Sequence, residues 1–176
     1  MIDEIFERVL ALEVRSLCFG FALFEQPDDL VDWGVRSFRN GVNAVRISLS
    51  ERVSQLSSQS KPDVVVVNVP LVKEQATSVS EIKKLVKKQG IRFQMLSRSD
   101  IRSTLQQNIR NKYQVATAIA ERYPELTAQL PARRKIWQSE PYQMKIFDAV
   151  AIAGAYLARE QAHDRRESYR RPLIDA

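Results

Sequence analysis

Apolar residues recur along this chain in two rhythms, as short dense runs and as positions spaced by three and four. The dense runs predict strands. Arg8 to Val14 contains Val9-Leu10-Ala11-Leu12, Leu17 to Phe24 is a second run, and Leu30 to Phe38 a third. Arg15-Ser16 reads as a tight connection between the first two, and Gln26-Pro27-Asp28-Asp29 as a turn before the third. Val64-Val65-Val66-Val67 follows Lys61-Pro62-Asp63 and is stopped by Pro70. An unbroken β-branched run of this kind suits a central strand covered on both faces. Ile91 to Leu96 is a fifth strand.

The wider spacing predicts helices. Residues 42–58 carry Val42, Val45, Ile47, Leu49, Val53 and Leu56, and a Lys-rich helix over about 76–89 ends at Gly90. Ser97 or Ser99 caps a short helix, and Asn111 caps another over Lys112 to Arg122. A loop bounded by Pro124 and Pro131 reaches to about Glu140. A long helix then runs from Pro141 to about Ala162, with the proline at its first turn. The order β-β-β-α-β-α-β-α-α-α predicts one α/β domain over residues 1–162. Its mixed five-stranded sheet, with the first three strands antiparallel, would be flanked by helices, the ends of strands one and four side by side. Residues 163–176 form a basic tail expected to fray.

Composition narrows the function classes. The chain has 176 residues, enough for one sizeable core, and no apolar run approaches the length of a membrane span. One cysteine, Cys18, allows no intrachain disulfide and no cysteine-rich zinc site; its place in a strand makes it a small buried hydrophobe. The acidic N-terminus lacks the shape of a secretory signal, which fits a cytoplasmic protein. Five glycines form no phosphate-binding loop, and the only histidine, His163, sits in the polar tail. The net charge of +6 points mildly to a polyanionic partner. Lys83, Lys84, Lys87 and Lys88 are most simply the solvated face of a helix. Arg133-Arg134-Lys135 lies instead in a loop, beside Trp137; it can grip phosphates and stack on a base, or simply solubilise the loop.

The candidate chemistry begins at Asp148, a carboxylate in the apolar stretch Ile146 to Leu157. Helical spacing puts it on one face with Met144, Ala151, Ile152 and Ala155, toward the rest of the fold. Such an acid needs a partner, a metal or solvent, unless it serves only to complement the helix dipole.

The order of elements, with an acid ending the first strand and another in the last helix, resembles the ribonuclease-H-like fold, and within it the RuvC-type Holliday-junction resolvases. The matching segments are Val9 to Ser16 with Gly20 to Leu23, Pro62 to Asn68, and Phe147 to Ala153; Asn111 to Ile119 resembles the helix before the last motif. The resemblance spans about residues 8 to 160. It implies DNA-recombination nuclease chemistry in which two Mg²⁺ (or Mn²⁺) ions are held by converging carboxylates. It places Glu13, Asn68 and Asp148 at the catalytic position, with Glu13 and Asp148 as metal ligands. It also implies a homodimer, and nucleic acid (branched DNA or structured RNA) as the partner, gripped by Arg133, Arg134 and Lys135.

The departures from the family pattern matter. Glu13 stands where the family has Asp, Asn68 replaces an acid with a neutral ligand, and Lys145 occupies another acid position. A lysine there would repel Mg²⁺ and could pair with Asp148 or Glu13, while Glu140 or Glu74 could supply a missing carboxylate. The resulting expectation is a nucleic-acid-binding protein with impaired two-metal cleavage. The alternatives are an active Mg²⁺-dependent structure-specific endonuclease, and an assembly or scaffold protein with no nucleic-acid role.

Overall fold

The computed structural model describes residues 6–38, 47–106 and 108–170. Five strands form one sheet: β1 (Val9–Val14), β2 (Cys18–Gln26), β3 (Asp29–Ser37), β4 (Val64–Asn68) and β5 (Arg92–Leu96). Their spatial order is β3-β2-β1-β4-β5. The first three strands are antiparallel neighbours, while β4 runs parallel to β1 and β5 parallel to β4. Strand β1 is therefore central, and Leu12 lies directly opposite Val67 of β4. This is the expected sheet, with the ends of strands one and four adjacent.

Strand alternation divides the core in two. Val9 and Ala11, Ala22 and Phe24, and Val64 and Val66 face one side, where helices α4 (Lys112–Arg122) and α5 (Met144–Arg170) pack. Leu10, Leu12 and Val14, Phe19 and Phe21, and Val65 and Val67 face the other, beneath α1 (Leu49–Ser60) and α2 (Lys73–Lys88). The valine run is buried on both faces because helices cover both faces. Short helix α3 (Arg98–Ser103) follows β5, and a 3-10 segment over Pro124–Gln129 occupies part of the expected loop.

Several helix limits differ from the pattern-based ones. Helix α1 begins at Leu49 because Ser48 and Glu51 form a capping box: the Ser48 hydroxyl accepts the Glu51 N–H at 3.1 Å, and the Glu51 carboxylate accepts the Ser48 N–H at 2.7 Å. Residues 42–46 of the expected helix lie outside the described residues. Helix α2 starts at Lys73, a turn earlier than expected. Pro141 sits in a turn before α5, where the Met144 N–H donates to the Pro141 carbonyl at 3.1 Å. Helix α5 then continues past Ala162 to Arg170, into what the pattern marks as tail, while 171–176 lie outside the described residues. Among the described residues no helix is long and apolar enough to cross a membrane.

Candidate active site

Strand parity sets two of the site residues. Glu13 continues the side of Val9 and Ala11, and Asn68 that of Val64 and Val66, so both turn toward the α5 layer. Asp148 lies one turn into α5. Gly20 lets that turn come close: it pairs with Glu13 across β1 and β2, and a Cβ on it would lie 2.2 Å from the Lys145 carbonyl oxygen. Only a glycine admits the backbone of α5 at this distance. Glu13, Asn68 and Asp148 thus line one cavity of about 170 Å³, together with Arg15, Arg98, Ile101, Arg102, Leu105, Lys112, Val115, Ala151 and Ile152. The structure brings together the three residues placed there by resemblance.

The cavity is held by cations. Arg15 Nη2 lies 2.8 Å from Glu13 Oε1 and 3.5 Å from Asp148 Oδ2. Lys112 Nζ lies 2.9 Å from Asp148 Oδ2 and 2.9 Å from Glu140 Oε1. The result is a chain of alternating charge: Glu13, Arg15, Asp148, Lys112, Glu140. Asn111 fixes Lys112 in place, because its side chain caps α4 by accepting the Gln114 N–H at 2.9 Å.

Burial is the main force on Glu13, which is 4% exposed. Together with the nearby Asp148 charge it raises the Glu13 carboxyl from 4.5 to about 7, against the pull of Arg15, Lys112 and Arg98. For Lys112, burial works against the ammonium, but Asp148 and Glu140 outweigh it and hold its pKa above the ordinary value. Glu140 is the mirror case: burial would raise it, yet hydrogen bonding and charge from Lys112 bring it below the usual range. Cys18, buried as expected, has its thiol pushed up by burial.

Lys145 does not take the role the sequence offered it. Its ammonium stands over the Tyr142 ring, 5.3 Å from the centroid, and the partners of Asp148 and Glu13 are Arg15 and Lys112. Tyr142, three residues earlier, gives Lys145 an aromatic face before it can reach the cavity. Of the two spare acids, Glu140 reaches the site through Lys112, whereas Glu74 is exposed in the first turn of α2, on the far side of the sheet. Sequence reasoning missed Arg15, Lys112, Arg98 and Arg102. For the first two a signal existed: Arg15 follows Glu13 by two residues, the same-face spacing of an extended chain, and Lys112 directly follows a helix cap.

The donor set can be tested against the metal pair that the fold implies. Two Mg²⁺ ions require several anionic oxygens converging on one point. Here two carboxylates and one amide face a cavity that four cationic side chains also line, and two of those cations already bridge the carboxylates. Among the described residues no group of three or more His, Cys, Asp or Glu is placed to hold a metal. As arranged, the residues do not fit two Mg²⁺ ions.

Arg133, Arg134 and Lys135 are exposed on the loop before α5. Arg133 and Arg134 line a second cavity of about 260 Å³ with Asn111, Lys112, Tyr113 and Glu140. Lys112 lines both cavities, so the basic loop adjoins the carboxylate site.

A mixed sheet of this order, with the last helix laid over its centre, defines a ribonuclease-H-like fold. Among solved structures, Thermus thermophilus RuvC is similar at TM-score 0.58 and 12% identity, covering 88% of this chain and 96% of that one. The same protein in complex with a Holliday junction substrate is similar at TM-score 0.61 and 12% identity, covering 89% and 96%. The yeast mitochondrial Holliday junction resolvase Ydc2 is similar at 0.55 and 14% identity, covering 95% and 87%. At such identities the likeness establishes the fold. No family model matches the sequence, and no curated protein matches it.

Proposed function

We propose that this chain is a nucleic-acid-binding protein on the resolvase fold whose two-metal phosphodiester cleavage is impaired. The observation that carries this reading is the occupation of the carboxylate site by the chain's own cations, with Arg15 bridging Glu13 and Asp148, and Lys112 bridging Asp148 and Glu140. Binding is assigned to Arg133, Arg134 and Lys135, whose loop borders that site and supplies exposed positive charge on a chain of net charge +6. Branched DNA is the first substrate to test, because one of the similar solved structures is a complex with a Holliday junction substrate. Structured RNA is the second. A twofold dimer is proposed on the same resemblance, and a monomer in sedimentation velocity would argue against it.

Binding is tested on a four-way junction over a series of salt concentrations. Wild type is expected to bind with a steep salt dependence. Replacing Arg133, Arg134 and Lys135 with Ala should weaken binding and lower the slope by about 0.9 for each phosphate no longer neutralised. Unchanged affinity and slope would remove the loop from the interface.

One observation favours a second reading, an active Mg²⁺-dependent endonuclease. Glu13, Asn68 and Asp148 do converge on one cavity, and Lys112 is half exposed, so a nucleic-acid phosphate could draw it away from Asp148. Cleavage lost in Asp148→Asn would support that reading.

A further inference from the structure

The loop before α5 carries an exposed apolar tip. Ile136 is 97% exposed and Trp137 79% exposed. They are the two central residues of a closed turn. The Gln138 N–H donates to the Lys135 carbonyl at 3.0 Å, and the Lys135 N–H donates to the Gln138 side-chain oxygen at 2.9 Å. The turn is thus hydrogen-bonded at both ends and holds its two apolar side chains outward. Large aromatic side chains gain from burial, so one held in solvent by a hydrogen-bonded turn, next to an exposed isoleucine, offers an apolar surface to a binding partner.

The charges around the tip say what that partner is. Arg133, Arg134 and Lys135 precede it directly, and Lys135 Nζ stands 5.4 Å from the Trp137 ring centroid. A cation against an indole, on a loop of exposed cations, suits a ligand with both anionic groups and flat π-faces. A nucleic-acid strand offers phosphates to the first and bases to the second, but only where its bases are unpaired. A fully paired duplex hides those faces inside the stack.

We propose that Trp137 is a stacking platform for an unpaired base, seated while Arg133 and Arg134 hold the neighbouring phosphates. Ile136 covers the edge of that base. The inference rests on the nucleic-acid reading above and adds to it a substrate class: single-stranded segments, or the opened bases of a branch, in preference to uninterrupted duplex.

The test uses the full chain with a single-stranded oligonucleotide and a duplex of the same length. Affinity is measured at two salt concentrations for wild type, Trp137→Ala, Trp137→Phe and Ile136→Ala, with sedimentation run in parallel. Trp137→Ala should lose about tenfold in affinity for the single strand, keep its duplex affinity and keep its salt slope. Trp137→Phe should recover most of the loss, and Ile136→Ala should fall between. Equal losses on both substrates, or none on the single strand, would overturn the stacking role while leaving phosphate binding by the loop intact. Failure of wild type to bind either oligonucleotide while it still binds a four-way junction would overturn the single-strand preference alone, and failure on the junction as well would overturn the nucleic-acid reading and this inference with it. A dimer that dissociates on Trp137→Ala would assign the tip to a second copy of the chain and also overturn it.

Discussion

At Glu13, burial and the Asp148 charge act against Arg15, Lys112 and Arg98, and burial prevails, leaving the carboxyl at about 7. The native state therefore holds a proton that the unfolded chain releases near 4.5. Stability from this group is complete below that value and is lost as pH rises toward 7. Glu13→Gln should flatten that slope, by about 3 kcal/mol at most between pH 5 and pH 8, read from urea unfolding at both pH values. A wild-type profile equally flat would mean that Arg15 keeps Glu13 ionised. Lys112 gives the companion experiment. Its removal leaves Asp148 with Arg15 at 3.5 Å and frees Glu140. Lys112→Ala is thus expected to raise Mn²⁺ affinity on the order of tenfold or more, measured by calorimetric titration. No gain would show that Lys112 is not what excludes a divalent ion. Asp148 was legible from helical spacing, which turns it toward the fold, whereas Glu13 and Asn68 were reached only through the resemblance to the resolvase pattern. The bridging cations were not legible, since Arg15 and Lys112 are long, and their targets are set by tertiary proximity rather than by local pattern.

Between elements, the decisive contact is β2 against the first turn of α5. A methyl group at Gly20 would collide with backbone, 2.2 Å from the Lys145 oxygen and 2.5 Å from its carbon, so no side chain can turn aside to relieve it. Gly20→Ala should destabilise the protein by about 1–3 kcal/mol in thermal or denaturant unfolding. It should also loosen the Glu13–Arg15–Asp148 bridge, because α5 carries Asp148. A wild-type Tm would mean that the helix can lift off without loss. All five strands, and the helices of strong period, were legible because their apolar positions face a real core. The helix ends were less so. Nothing between Ala162 and Arg170 is a proline or glycine, so α5 has no local reason to stop, although its polar residues have the composition of a frayed tail. Among the described residues, Ile47 and Ser48 precede α1 rather than extend it, because the Ser48–Glu51 capping box starts the helix at Leu49.

Across the whole molecule, the sheet carries Glu13 and Asn68 on one face, α5 brings Asp148 to them, and the loop before α5 sets its basic residues beside the same site. The fold matches that of RuvC and Ydc2, but the carboxylates are held by arginine and lysine. On the proposed reading, this fold retains nucleic-acid binding while its two-metal cleavage is impaired. The most direct measurement incubates purified wild-type protein with a labelled four-way junction in Mg²⁺, and separately in Mn²⁺, following bound and cut DNA in the same samples. A salt-sensitive complex with the junction left intact in both metals is expected. Divalent-metal-dependent cutting by wild type, abolished by Asp148→Asn, would contradict it.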